Sequence, residues 1–230
     1  MLYAFPRPLP ERFWEVWEAS DKILPYLDMP LQHASPTLLA RMRRPTNLEL
    51  VTKQLATFRA RIADGHPHAA FRSTFITGHP GETAEDHQAL LRFLEEQRFE
   101  RVGIFAYSDE EDTPAFELPD KVPEALAEER RAEAMILQQR ISREQQESLV
   151  GQTLEVLVEG VSDESDLLLQ GRHRGQAPEI DGLTYINRGE AAPGDLVQVE
   201  ISQAGDYDLV GGIPGDWGYR PEGSLPIVQG

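Results

Sequence analysis

The apolar positions along the first 150 residues come in short runs separated by helix-like stretches, and after Gly151 the rhythm changes. In the first part, Leu2–Phe5, Ile23–Pro30, Arg72–Gly78 and Val102–Tyr107 read as strands, and helical patterns lie between them. This alternation predicts βα units around a parallel sheet. The runs FRSTFITG and RVGIFAY are almost continuously apolar or β-branched, as strands covered on both faces should be. One helix is expected to start at Ser35, a good N-cap, with Pro36 at the first helical position. Another starts at Thr83, where Thr-x-x-Asp resembles a capping box and Glu85 and Asp86 suit the positive end of the helix dipole. A long helix is expected from about Pro123 to Val150, with Ala134, Leu137 and Ile141 forming its apolar seam. Beyond Gly151, TLEVLVEGV, LLLQGRH, GLTYINRG and DLVQVEISQA are short strands divided by turns, among them Asp181-Gly182 and Pro193-Gly194-Asp195. About 60 residues of this texture predict a small antiparallel barrel. Residues 212–230 contain five glycines and three prolines and read as an irregular tail.

Composition narrows the chemistry. The chain contains no cysteine, which removes disulfides, thiolate nucleophiles and iron–sulfur ligation by its own residues. No apolar run approaches the length of a membrane span, and the N-terminus has no secretory pattern, so a cytoplasmic protein is expected. The net charge is −17, unevenly spread: residues 151–211 hold three arginines against twelve acids. Such a barrel repels a phosphate backbone and attracts a basic protein, which argues against direct nucleic-acid binding. Acidity that serves only solubility is the alternative.

Several motifs could carry a site. ITGHPGET (76–83) places a Gly/Pro turn between a strand and a helix N-terminus, where backbone N–H groups can face a carboxylate or phosphate. An ordinary βα turn reads the same way. YLDMPLQHAS (26–35) puts Asp28, Gln32 and His33 near the C-terminal end of a strand, where barrel ligands are met; His33 could equally cap or pack locally. Arg72 could grip a carboxylate bidentately or form a structural ion pair with Asp28. His66, His68, His79 and His87 lack zinc-site spacing, so no metal site is expected. The cluster Arg41, Arg43 and Arg44 fits a helix C-terminus.

In order, LYAFP (2–6), KILPYLDMPLQHAS (22–35), LLARMRRP (38–45), RSTFITGHPGET (72–83), RVGIFAYSDEEDTPA (101–115), LPDKVP (118–123) and APEIDG (177–182) resemble the radical S-adenosylmethionine methylthiotransferases over residues 1–211. YLDMPLQHAS and APEIDG resemble the branch that modifies a ribosomal protein. The resemblance implies an α/β fold: a partial radical-SAM (β/α) barrel at 1–147, a TRAM domain, the small all-β antiparallel barrel, at 148–211, and a tail at 212–230. It implies methylthiolation of the β-carbon of an aspartate in small-subunit ribosomal protein twelve, using S-adenosylmethionine and two 4Fe-4S clusters. Carried over position by position, Gln32, Arg72, Gly78, Pro80, Gly81, Glu82 and Tyr107 would line the S-adenosylmethionine side of the barrel mouth; His79 stands where the family has phenylalanine. The family holds its clusters with cysteines that precede the matching region, so the resemblance implies a piece of a longer enzyme, inactive alone and completed by an N-terminal half. Two other readings fit the residues: a non-catalytic module that docks a basic ribosomal protein, and an unrelated βα-barrel enzyme acting on a phosphorylated substrate.

Overall fold

The computed structural model describes residues 1–66 and 68–215. They form two compact units, Met1–Ser142 and a second beginning at Arg143. The first unit runs α1 (Glu11–Glu18), β1 (Tyr26–Asp28), α2 (Pro36–Arg41), α3 (Leu48–Arg61), β2 (Ala70–Thr77), α4 (Ala84–Gln97), β3 (Arg101–Ala106) and α5 (Glu124–Glu147), with the boundary inside α5.

The three strands make a parallel sheet in the order β1-β2-β3. Successive side chains of a strand point to opposite faces, so Phe71, Ser73, Phe75 and Thr77 of β2 turn to one side and are buried. On that side Phe71, Phe75, Phe93 and Phe99 pack with ring centroids 5.7–6.4 Å apart. Phe58 of α3 joins them and carries Trp17 of α1 against it at 5.7 Å. Each buried phenylalanine contributes roughly 1.5–3 kcal/mol. The register places Asp28 beside Arg72, Arg72 beside Arg101, Thr74 beside Gly103 and Ile76 beside Phe105 on the opposite face. That face is half-buried, and Phe105 is 56% exposed. Cover on both faces, expected from the apolar runs, therefore holds for β1 alone.

The helix starts follow the sequence signals. Ser35 accepts the Leu38 N–H, with Pro36 opening α2, and Thr83 and Asp86 form the complete capping box of α4. In α5, Ala134 and Ile141 are buried, as is Gln138, which donates to the Phe99 carbonyl at 2.9 Å. Leu2–Phe5 is not a strand. Asp28 N–H donates to Met1 O and Ala4 N–H to Asp28 O, but Tyr3 at φ +58° breaks the extended path between them.

The second unit contains β4 (Thr153–Ser162), β5 (Ser165–His173), β6 (Thr184–Arg188), β7 (Leu196–Ala204) and β8 (Leu209–Gly212), closed as a barrel in the order β4-β5-β6-β8-β7. Four pairings are antiparallel, and β6 with β8 is parallel. Leu154, Val156 and Val158 of β4 point inward to Ile186, Val199, Ile201 and Leu209. Glu155 and Glu159, on the alternate positions, pair with Arg174 and Arg172, each at 2.7 Å. The closing strand β8 escaped the sequence reading because it has four residues and two are glycine. Gly211 is required there, since a Cβ would lie 2.4 Å from the Glu200 carbonyl oxygen. Residues 216–230 of the expected tail lie outside the described residues.

Candidate functional site

After Asp28 the chain leaves the regular ladder for a short detour. Met29 N–H still donates to the Arg72 carbonyl, but at Leu31 the Ser73 hydroxyl fills the gap, accepting Leu31 N–H at 3.3 Å and donating to Met29 O at 3.0 Å. Pairing resumes at Gln32, whose N–H donates to Thr74 O and whose carbonyl accepts Ile76 N–H. Gln32 makes this return with φ +74°. A non-glycine residue in the left-handed region stores strain of about 1–3 kcal/mol and marks a place where the surroundings dictate the backbone.

Gln32 lines a cavity of about 380 Å³ with Thr74, Ile76, Phe105, Tyr107, Ser108 and, from the following loop, Glu110, Thr113 and Ala115. It opens at the C-terminal ends of the parallel strands, where ligands of α/β sheets bind, and falls in the size range of small-molecule sites. Tyr107 donates to Asp109 Oδ1 at 2.9 Å. Burial, then the Asp109 carboxylate, pushes the Tyr107 phenol up to about 12, so it stays a donor at neutral pH. Lys121 pairs with Asp109 and stands over the Tyr107 and Phe116 rings, while His79 meets Tyr107 edge-on at 5.3 Å. Burial lowers the His79 pKa from its ordinary value.

The turn after β2 sits beside this cavity without lining it. Gly78 and Gly81 have φ of +78° and +84°. A Cβ on Gly78 would lie 2.1 Å from that of Ala127, and one on Gly81 would lie 1.9 Å from Arg41 Nη1, which donates to Pro80 O at 3.3 Å. Glu82 faces inward, to His33, the Gly78 N–H and Arg130. Of the residues expected at a cofactor, the structure thus brings Gln32 and Tyr107 to one cavity. Gly78, Pro80, Gly81 and Glu82 lie in the adjoining turn. Arg72 stands one step below Thr74 on the same face, ion-paired with Asp28 at 3.2 Å. Of the two readings of Arg72, the Asp28 pair is the one the structure contains.

Thr74, Ile76 and Phe105 were not singled out from sequence, although the period-2 alternation of their strands could have placed them. Nothing in the sequence marks Arg130 as the partner of Glu82. Among the described residues no group of three or more His, Asp or Glu side chains is placed to hold a metal ion, and there are no cysteines. These residues do not fit an iron–sulfur cluster. His87 pairs with Glu133 at 2.8 Å.

The second unit matches the TRAM domain family over residues 150–213. Nearly the whole chain is similar to proteins named ribosomal protein uS12 methylthiotransferase RimO. It is 49% identical over 228 residues to that of an Anaeromyxobacter strain, covering 99% of this chain and 48% of the relative. It is 52% identical over 208 residues to that of Myxococcus xanthus, covering 90% and 43%, and 44% identical over 216 residues to that of Sorangium cellulosum, covering 94% and 43%. The chain spans about half the length of the curated relatives it matches. The fold is a parallel α/β unit joined to a TRAM domain. By sequence the chain resembles part of these methylthiotransferases.

Proposed function

We propose that this chain supplies the S-adenosylmethionine-facing wall and the TRAM domain of a cytoplasmic methylthiotransferase that modifies an aspartate of ribosomal protein uS12. The observation that carries the reading is the cavity between Gln32 and Tyr107, at the C-terminal end of the parallel strands in a chain about half identical to such enzymes. Gln32, Thr74 and Ser108 offer hydrogen bonds and Ile76 and Phe105 an apolar floor, a mixture that suits a nucleoside with a charged amino-acid tail. S-adenosylmethionine bound there would supply the methyl group and, with an electron from elsewhere, the means of activating the aspartate. This chain's part is to bind and orient: Gln32 and Tyr107 present polar atoms to the cavity, and Arg72, one step below on the same face, is held by Asp28. The cluster chemistry needs thiolates from another polypeptide or segment, and the chain by itself is inactive.

The barrel surface supports the choice of a protein substrate. Its arginines Arg172 and Arg174 are spent on Glu159 and Glu155, and with three arginines against twelve acids residues 151–211 carry a strong net negative charge. Such a surface steers a basic protein toward it. The test is to titrate the chain with S-adenosylmethionine by calorimetry. It is then combined with a cluster-loaded polypeptide carrying the family's cysteines, and uS12 is followed for the mass gain of one methylthio group. Binding without the added polypeptide and modification only with it are expected. Modification by the chain alone, or no binding at all, would refute the proposal.

A further inference from the structure

Glu82 lies in the turn after β2, and its side chain is wholly shielded from solvent. Both oxygens are engaged. Oε1 is 3.3 Å from His33 Nε2, while Oε2 accepts the Gly78 N–H and is 3.1 Å from Arg130 Nη1. The same Arg130 nitrogen donates to the Glu82 carbonyl at 3.1 Å. One carboxylate therefore ties together the β1–α2 connection, the end of β2 and α5.

His33 is equally buried. Its Nδ1 accepts the Ser35 N–H at 2.9 Å, so the proton of the neutral ring sits on Nε2 and points at Glu82. Removing one member of such a group leaves a desolvated charge or an unpaired donor, so the cluster tolerates a single arrangement. Gln32, next in the chain to His33, is the residue held at φ +74° in the cavity wall. Its backbone is gripped on one side by Thr74 and Ile76 and on the other by His33, through Glu82.

We infer that Glu82, with His33 and Arg130, is a positioning unit that holds Gln32 in its left-handed backbone and so fixes the cavity wall that receives S-adenosylmethionine. The ligand's identity rests on the function proposed above; the brace itself does not. Glu82 acts through Gln32 and touches no ligand.

The test uses the full chain and the variants Glu82→Gln, His33→Gln and Arg130→Lys. Arg59→Met serves as a comparison: Arg59 donates to the Gln97 and Arg98 carbonyls and to Glu100, away from the cavity. S-adenosylmethionine affinity is measured by calorimetry, and amide hydrogen exchange is read at Gln32, Ser35, Ile76 and Gly78. Glu82→Gln and His33→Gln should exchange faster at those four amides while α4 and the second unit keep their rates, and binding should weaken roughly tenfold. Arg130→Lys, which keeps the charge, should fall between them and the parent. Arg59→Met should melt lower yet bind as the parent does. Parent-like affinity in Glu82→Gln, or faster exchange spread evenly over the first unit, overturns the inference. If Glu82→Gln does not fold, His33→Gln, which leaves the Glu82–Arg130 pair intact, carries the same two outcomes. If the parent chain binds no S-adenosylmethionine, the functional proposal falls and the exchange pattern alone decides the brace.

Discussion

Asp28 and Arg72 meet at 3.2 Å across neighbouring strands, the carboxylate 1% exposed and the guanidinium 15%. Breaking a pair this buried strands a charge, so Asp28→Ala should destabilise the first unit by on the order of 3 kcal/mol. The fluorescence of Trp14 and Trp17, followed through urea unfolding in a Trp217→Phe background, measures it. A midpoint unchanged from the parent would show that the pair contributes nothing.

Gly78 and Gly65 share a left-handed backbone, with φ of +78° and +76°, but differ in their surroundings. A Cβ at Gly78 strikes Ala127, whereas nothing lies within 4 Å at Gly65. Gly65→Ala should therefore cost about 1 kcal/mol of backbone strain. Gly78→Ala should add an overpacking cost of roughly 1–3 kcal/mol. Equal losses in the two variants would mean that α5 yields freely at this contact.

Acid should expose the Glu82 cluster. Burial alone would raise its carboxyl, but the His33 hydrogen bond, the Gly78 N–H and the Arg130 charge hold it below the ordinary 4.5. The unfolded chain takes up a proton at this site before the folded one does. The stabilisation from Glu82 is thus complete above pH 4.5 and is lost as pH falls through the lowered value. Glu100 is the opposite case: burial raises its pKa, so the folded form holds its proton longer and its effect on stability declines as pH rises past 4.5. Urea midpoints between about pH 5 and 3 should fall less steeply in Glu82→Gln than in the parent. Parallel slopes would remove Glu82 from the acid response.

Association of the barrel with uS12 should depend on salt. If the acidic surface steers a basic protein, raising salt from about 0.05 to 0.5 M should slow association roughly tenfold and change dissociation far less. Surface-plasmon kinetics separate the two rates. Insensitivity to salt, or tighter binding to RNA, would contradict the steering.

Local signals in the sequence determined much of this protein. Ser35, Pro36 and the Thr83–Asp86 box set two helix starts because capping is decided within four residues. The β-branched and apolar runs located β1, β2 and β3 to within a few residues, and the turn spacing after Gly151 announced a barrel. The absence of sulfhydryl groups settled what the chain cannot ligate. Tertiary structure alone decided the rest, because it depends on residues far apart in sequence. Which face of the sheet stays open follows from the register of Arg72 with Arg101, and the barrel closes through the parallel β6–β8 pair that no local pattern encodes. Glu82 finds His33 and Arg130 at separations of 49 and 48 residues. The turn that local signals mark as a possible ligand cradle has Ala127 and Arg41 where a Cβ on Gly78 or Gly81 would lie, and Arg130 against Glu82, neighbours that no local pattern names.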